Sequence, residues 1–181
     1  MLILAAGAQV TAELDGSRLL CPGCGGVLRP WGYGRERVVR SSGAYERLRP
    51  RRTRCAGCRQ THVLLPDHTL VRRLDRVEVI GRALVETAAG AGYRKVARRL
   101  EVPPSTVRRW ISRFVLKAPE LLAFAPASSM LPPYTSDRRL LIRRAIEALS
   151  NACGAGGGAE PSWRKISAST TGSFLVPSSP A

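Results

Sequence analysis

Two cysteine pairs constrain the fold of this chain more than any other feature. Cys21 and Cys24 form one C-x2-C pair, Cys55 and Cys58 form a second, and 30 residues separate the two pairs. Two residues between cysteines allow one tight turn to direct both sulfurs at a single ion, and two such turns complete a tetrahedral four-sulfur site. The glycines after Cys24 and before Cys58 permit the positive φ that such turns need. The pattern therefore predicts one structural Zn²⁺ bound by these four cysteines.

Other uses of the thiols stay open at this point. Disulfides form in exported chains, but the apolar segment Met1–Val10 lacks the basic start of a secretory leader, so we expect a cytoplasmic, nucleoid-associated protein with reduced thiols. The thiols can also be unrelated to one another, or they can hold iron, as in the electron carrier rubredoxin. His62 follows Cys58 by four positions, and we interpret it as an ordinary surface or half-buried histidine rather than a ligand.

Residues 21–71 form the cysteine module, in which β-strands are predicted between and after the two pairs. Val27–Arg40 and Tyr45–Arg54 have the composition of strands, and Thr61–Leu65 is a third, shorter one. Together with the two cysteine turns, this pattern resembles a zinc ribbon. Residues 1–20 precede the module as an approach segment, in which we expect a short strand that packs on it.

The charge of the chain points to a polyanionic partner. The 181 residues carry 29 Lys and Arg against 13 Asp and Glu, which gives a formal net charge of +16 and a pI of about 11.2. A charge of this sign and size favours nucleic acid as the partner. No apolar run approaches the ~20 residues that cross a bilayer, so no membrane partner is expected.

A dense arginine run in the cysteine module supplies three candidate contacts to a phosphate backbone, which are Arg49, Arg51 and Arg52. The preceding strand carries Trp31 and Tyr33, and an aromatic ring beside arginines can stack on a base or a sugar. A module of this size has little apolar material of its own, so we favour a structural role in which Trp31 covers the small core. RNA binding through the arginine-rich stretch stays open as an alternative.

Residues 72–117 form the helical module, for which three helices are predicted. Asp75–Glu78 has the form of a capping box and marks the start of the first helix, which two glycines end. A second helix spans Tyr93–Leu100. Pro103 and Pro104 then open the third helix, where proline is sterically compatible because the first N–H needs no partner within the helix.

The third helix separates into two faces when residues are placed about 100° apart. Its apolar face consists of Val107, Trp110, Ile111 and Phe114. Its polar face consists of Ser105, Arg108, Arg109, Ser112 and Arg113. One face is therefore expected to pack against the other helices, while the opposite face presents guanidinium groups.

Five residues at fixed places along Tyr93–Phe114 are Ala97, Val102, Thr106, Val107 and Trp110. These residue types in this order resemble bacterial helix-turn-helix proteins, in particular the DNA-binding heads of insertion-sequence transposases. With the cysteine module included, residues 21–115 resemble an uncharacterised, mobile-element-associated bacterial family that combines a zinc ribbon with a helix-turn-helix. Two positions depart from the pattern: Glu101 stands where glycine is common in the turn, and Pro103 replaces the usual Ser or Thr cap.

The resemblance implies a double-stranded DNA partner, with the third helix in the major groove. Base edges would be met by Ser105, Thr106, Arg108 and Arg109. The phosphate backbone would be held by Lys95, Arg98, Arg99, Ser112 and Arg113. The protein would then act as a transcriptional regulator, or as the accessory or truncated DNA-binding part of a transposase system, with a second copy of itself or a transposase as its protein partner.

The remainder of the chain divides into a connector, a helix and a tail. The connector, 118–135, contains four prolines that predict no continuous helix, which are Pro119, Pro126, Pro132 and Pro133. Ser136 is the predicted cap of a helix over 136–150, which serves domain packing or dimerisation or is a fragment of a lost domain. Its predicted apolar stripe is Leu140, Leu141, Ala145, Ile146 and Leu149. The Gly- and Ser-rich residues 151–181 are interpreted as disordered.

The sequence contains no recognisable catalytic arrangement. After the third helix only four acidic residues remain, and no glycine-rich phosphate loop is present. We therefore expect no enzyme activity and no small-molecule substrate. The predicted fold class is small α+β, with a β-rich zinc ribbon, an all-α three-helix helix-turn-helix domain, an extra C-terminal helix and a disordered tail.

Overall fold

Strands and helices occupy separate parts of the chain. The computed structural model describes residues 2–5, 12–41, 43–123, 137–154 and 161–176. The strands are β1 (Leu2–Ala5), β2 (Leu28–Tyr33), β3 (Arg37–Ser41), β4 (Ala44–Leu48), β5 (Arg51–Cys55) and β6 (Thr61–Pro66). The helices are α1 (Val77–Ala88), α2 (Tyr93–Arg99), α3 (Pro104–Leu122), α4 (Arg138–Ala152) and α5 (Trp163–Ser169). The predicted small α+β class is therefore confirmed.

The cysteine module is built on a four-stranded sheet with the strand order β1-β6-β5-β2. β1 pairs parallel to β6, while β6 with β5 and β5 with β2 are antiparallel pairs. The approach segment thus contributes the short strand that the sequence predicts. β3 and β4 form a separate two-stranded hairpin.

Both long strands predicted in this module are interrupted, so the prediction is wrong about their length. Val27–Arg40 divides into β2 and β3, and Tyr45–Arg54 divides into β4 and β5. Gly32 adopts a φ of 76° where the register of β2 against β5 shifts, which makes a β-bulge. Pro50 has no N–H for a ladder, and its carbonyl accepts a hydrogen bond from the Gly34 N–H at 2.7 Å. These two features separate the hairpin from the sheet.

The hairpin joins the helices through Arg40. The Arg40 N–H donates to the Leu74 carbonyl at 2.6 Å, and the Arg40 carbonyl accepts from the Arg76 N–H at 2.9 Å. The Arg40 guanidinium also pairs with the buried Asp75 carboxylate at 3.0 Å. Asp75 is therefore not the cap that the capping-box pattern predicts. α1 begins at Val77, and its N-cap residue Arg76 makes no side-chain cap hydrogen bond.

The first three helices enclose a common apolar core, as their periodicity predicts. The buried side chains include Ile80, Leu84, Val96, Ala97, Leu100, Val107, Trp110 and Phe114. Between α2 and α3, Glu101 has a φ of 53°, a left-handed conformation that costs a non-glycine residue about 1–3 kcal/mol. Pro104 occupies the first turn of α3, which agrees with the predicted helix start.

α3 continues to Leu122 and passes through Pro119, so the helix extends five residues into the predicted connector 118–135 and does not continue through it. Proline inside a helix removes one hydrogen bond and crowds the preceding turn. Here the neighbouring side chains Ala118 and Leu121 are buried in the apolar core, and their burial favours the continued helix. The other connector prolines lie outside the described residues: Pro126, Pro132 and Pro133.

α4 packs against α1 and α3 and is therefore a packing element within this chain. Its cap is Asp137, whose Oδ1 accepts a hydrogen bond from the Arg139 N–H at 2.8 Å. The predicted cap, Ser136, lies outside the described residues. Of the predicted stripe, Ala145, Ile146 and Leu149 are buried while Leu140 and Leu141 are half-buried. Ile142, which the prediction omits, is fully buried.

The interpretation of 151–181 as disordered is wrong for residues 161–176. α4 extends to Ala152, and α5 follows and packs against α1, with Trp163 and Ile166 buried in the apolar cluster. A terminal turn adds Phe174, whose ring lies edge-on to Phe114 with centroids 6.3 Å apart. We call the apolar cluster of α1–α5 and this turn the helical core.

The terminal segment also ties the helical core to the cysteine module. The Ser167 hydroxyl donates to the Thr69 carbonyl at 2.9 Å, and the Val71 N–H donates to the Gly172 carbonyl at 3.3 Å. A Cβ on Gly81 would lie 2.2 Å from the Trp163 ring, so the indole packs directly on the backbone of α1. Glycine at position 81 is therefore required by close packing.

Candidate metal centre and nucleic-acid interface

The four predicted cysteine ligands lie together at the end of the sheet. Their sulfur atoms are all within 4.8 Å of one another. Cys21 Sγ lies 3.7 Å from Cys58 Sγ, and Cys24 Sγ lies 3.4 Å from Cys55 Sγ. A tetrahedron with metal–sulfur bonds of about 2.3 Å has edges of about 3.8 Å. The four thiols are therefore positioned to bind one metal ion.

Two matching turns bring the sulfurs together. The residue after each pair adopts a positive φ, of 70° at Gly25 and 64° at Arg59. The prediction assigned this role to the glycine before Cys58, but Gly57 is not among the residues with positive φ, and Arg59 takes the role instead. Gly26 lines the centre closely, since a Cβ there would lie 3.0 Å from Cys55 Sγ. The cradle therefore has no space for a side chain at this position.

The chemistry of the four thiols also fits a cation. The pKa of Cys24 is lowered to about 6, chiefly by the backbone hydrogen bond from Gly26 and then by the neighbouring thiols. At Cys58 the backbone hydrogen bond from Gln60 is the largest influence and lowers the pKa, but desolvation and the other three thiols raise it to about 12. One sulfur thus ionises readily and another resists, because four anions cannot share so small a space. A divalent cation removes this conflict.

His62 differs from the prediction in its burial. Its side chain is fully buried rather than exposed or half-buried, and its Nε2 lies 3.4 Å from Cys21 Sγ. The four-thiol cluster does not include it. His62 therefore lies beside the metal ligands and helps to fill a small apolar cluster whose members are Leu14, Cys21, Leu28, Cys55 and Leu64.

The predicted base-reading residues lie at the start of α3. Ser105, Arg108 and Arg109 are exposed, and Thr106 is half-buried. The three exposed residues, but not Thr106, border a groove of about 530 Å³ between the starts of α2 and α3. Its lining is Tyr93, Arg94, Pro104, Ser105, Arg108, Arg109 and Ser112. The opposite side of α3 is in the core, as the two-face pattern predicts. α3 therefore presents a fixed, cationic face to its surroundings.

The predicted backbone contacts on α2 and α3 are less uniform. Lys95 and Arg98 are exposed on α2, and Arg113 is half-buried on α3. Arg99 is exposed but pairs with Glu86 at 3.0 Å. The Ser112 hydroxyl accepts a hydrogen bond from Arg138 at 3.2 Å, so this serine already has a partner.

The arginine run of the cysteine module surrounds two exposed rings. Arg49 and Arg51 lie over Tyr33, with the guanidinium carbons 5.1 and 5.3 Å from the ring centroid, and Arg51 also lies 3.4 Å from Asp15. Arg52 is half-buried on β5. Trp31 is 50% exposed, so the prediction that it covers the small core is wrong. The core at this level is formed by other side chains, because Leu28 and Thr53 on the paired strands are fully buried.

Two arginines near α3 were not predicted from the sequence. Arg73 lies between the two modules; desolvation is the main cause that lowers its pKa, followed by the charges of Arg113 and Arg109. Its Nε is buried with no hydrogen-bond partner. Arg138 at the start of α4 contacts Ser112. No local sequence pattern places either residue beside α3, since Arg73 precedes the helical periodicity and Arg138 follows the connector.

Among the helices of the described segments, none combines the length and the apolar composition that crossing a membrane requires.

A protein family matches residues 21–110 of the chain, and its description is Domain of unknown function (DUF6431). The matched stretch begins at the first cysteine ligand and ends within α3, so the similarity spans both modules. None of the curated proteins and none of the solved structures gives a match.

Proposed function

We propose that the chain is a sequence-specific double-stranded DNA-binding protein in which α2 and α3 form a helix-turn-helix. The observation that carries this proposal is the exposed face of α3, where Ser105, Arg108 and Arg109 project beside a groove while the opposite face is held in the helical core. A helix fixed on one side and cationic on the other suits the major groove. Arginine pairs with guanine edges through two hydrogen bonds.

The charge around α3 supports binding to a phosphate backbone. Lys95 and Arg98 are exposed on α2. Arg73 and Arg113 add positive charge close to Arg109. Contacts of this kind set affinity and its salt dependence rather than sequence preference. We assign base reading to the start of α3 and backbone contact to these surrounding residues.

We further propose that the metal is one structural Zn²⁺ and that the cysteine module is a zinc ribbon. Four thiolates are the donor set of structural zinc sites, and the sulfur spacing suits a tetrahedral ion. The ion would hold the two turns together and so fix the arginine-bearing strands. The ion has no catalytic role in this proposal. The chain would act as a regulator or as the DNA-binding part of a transposase system.

Selection of bound sequences from a pool of random double-stranded DNA, at stated salt, tests the proposed function. We expect the zinc-loaded protein to enrich one motif, and an inverted repeat in that motif would indicate binding as a dimer. Arg108→Ala should lose or change part of the motif. Arg82→Ala is the matched control, because Arg82 is an exposed arginine of α1 that borders a different groove. Binding to all pool sequences without enrichment would contradict the proposal.

A further inference from the structure

The exposed aromatic rings of the described residues are concentrated in the cysteine module. Trp31, Tyr33 and Tyr45 are 50%, 52% and 76% exposed. In the helical core, Trp110, Phe114, Trp163 and Phe174 are all buried. The rings of the cysteine module are therefore available to a partner, and the proposed reading by α3 does not use them.

Two of the exposed rings also have arginine side chains from the neighbouring part of the chain beside them. The Arg54 guanidinium lies 4.7 Å from the centroid of the Trp31 ring. Arg49 and Arg51 lie over Tyr33 in the same manner. We call these five side chains the aromatic-arginine surface. Each ring therefore lies beside a guanidinium group. The ring can stack on a base while the guanidinium group contacts a phosphate.

The local fold explains why these rings are exposed. β2 is the last strand in the order of its sheet, so one of its edges has no strand partner in the described residues. The bulge at Gly32 lies between Trp31 and Tyr33 and shifts the register there. On the same strand Leu28 is fully buried, and it fills the small core without help from either ring.

We propose that the aromatic-arginine surface binds single-stranded nucleic acid by stacking unpaired bases on Trp31 and Tyr33. A duplex hides the faces of its bases within the stack, whereas an unpaired strand presents them, so exposed rings favour a single strand over a duplex. The net charge of +16 favours a polyanion over a protein or an apolar ligand. DNA and RNA single strands share this chemistry, and the proposal is independent of sequence reading by α3.

The test uses the zinc-loaded full chain with an oligo-dT and an oligo-U strand, which have little secondary structure. Trp31 is the exposed tryptophan, and Trp110 and Trp163 are buried, so stacking should quench the exposed part of the emission. The affinities of all variants are measured by the fluorescence anisotropy of a labelled strand, because variants at position 31 lack the exposed tryptophan. Trp31→Ala leaves the charge unchanged and should weaken binding of the preferred strand by about fivefold or more. Trp31→Phe keeps a ring and should restore most of the affinity. Tyr45→Ala removes an exposed ring over which no arginine of the described residues lies, and it is the matched control.

Quenching by either strand, together with a loss specific to Trp31→Ala, supports the proposal, and the preferred strand identifies DNA or RNA as the source. Equal affinity of the wild type and Trp31→Ala for both strands would overturn it. Circular dichroism and zinc content establish that the variants fold. A selected duplex serves as a parallel ligand: if duplex selectivity is absent but the effect of Trp31 remains, the reading by α3 fails and the single-strand surface stands.

Discussion

The cysteine module and the helical core use their large side chains in opposite ways. The helical core buries the rings of Trp110, Phe114, Trp163 and Phe174 in one apolar cluster. The buried cluster of the cysteine module has only five members, and two of them are cysteines of the four-thiol site. The aromatic rings of this module are exposed instead. A core of that size supplies little hydrophobic stabilisation. The difference indicates that the helical core is held by apolar burial, whereas the cysteine module has four thiols positioned to bind a metal ion and leaves its rings exposed. We propose that the bound ion supplies the stabilisation that the small core of the cysteine module lacks.

The largest expected effect comes from removing the metal. Metal binding to small thiolate sites contributes about 10–16 kcal/mol of apparent free energy near neutral pH, and that energy is folding energy. Cys24→Ser should therefore release the ion and unfold the strands of the cysteine module, while the helices persist. Amide protection measured by hydrogen exchange should fall in β2, β5 and β6 and remain in α1 and α3. A Cys24→Ser variant that kept its sheet without metal would break the comparison.

Replacing a tryptophan in each region gives the next largest difference. Trp163 is 4% exposed and packs on Gly81, so Trp163→Ala should lower the free energy of unfolding of the helical core by about 3–5 kcal/mol. Trp31→Ala removes a half-exposed ring and should cost much less. Denaturant titration measures both, followed by the helical circular dichroism signal for Trp163→Ala and by hydrogen exchange of the amides in β2 and β5 for Trp31→Ala. Similar losses in the two variants would show that Trp31 is a core residue after all.

The comparison of α5, which contains Trp163, with the first three helices shows where sequence reasoning succeeds and where it fails. The helices α1, α2 and α3 were predictable because their apolar residues recur with helical spacing over consecutive turns. α5 was not, because its buried residues Trp163 and Ile166 stand near Gly- and Ser-rich stretches and find their partners only in distant helices. Pairing over such distances leaves no local periodicity to detect.

The candidate site was predictable to a similar, partial extent. The spacing of the four cysteines predicted the thiols that cluster, and the two faces of α3 identified Arg108 and Arg109 as exposed, whereas Arg113, predicted on the same face, is half-buried. Arg59 as a turn residue was not predictable, since its type disfavours positive φ and only the geometry of the centre requires it. The exposure of Trp31 likewise depends on the bulge at Gly32, which strand composition does not indicate.

One substitution repeated in each region sharpens the comparison further. Glu101 and Arg59 both hold a left-handed φ, of 53° and 64°. Glycine removes strain there, so Glu101→Gly should raise the stability of the helical core by about 1 kcal/mol. Arg59→Gly should instead appear as tighter metal binding, because its turn carries Cys58. Thermal unfolding for the first and competition with a chelator for the second measure these effects, and a destabilised Glu101→Gly variant would contradict the account.

The smallest effect concerns the joint between the regions. The His68 carbonyl accepts from the N–H of Val77 at the start of α1, and its ring lies 3.3 Å from Glu46. Desolvation lowers the pKa of His68 below its usual 6.5, while the charge of Glu46 acts in the opposite direction. The folded chain thus binds this proton less readily than the unfolded chain. The stability that His68 contributes is present above about pH 6.5 and is lost as the pH falls toward its lowered pKa.

His68→Gln cannot titrate in this range and should flatten the pH dependence of stability between pH 7 and pH 5. Thermal unfolding of both proteins across that range measures the change. A wild-type protein that became more stable as the pH fell through this range, with the variant unchanged, would reverse the sign of the argument. Because His68 lies between the two regions, the change with pH should be seen in how cooperatively both regions unfold, rather than in the unfolding of one region alone.

The proposed reading of duplex DNA by α3 is tested most directly by the ratio of two affinities, one for a selected duplex and one for random duplex, at a fixed salt concentration. For Arg109→Ala we predict that this ratio falls by at least about fivefold, since a good arginine–guanine contact contributes about 1–3 kcal/mol of discrimination. Arg82→Ala should leave the ratio unchanged. Equal loss of both affinities in Arg109→Ala would show that this arginine contacts only the phosphate backbone and would contradict the proposed reading.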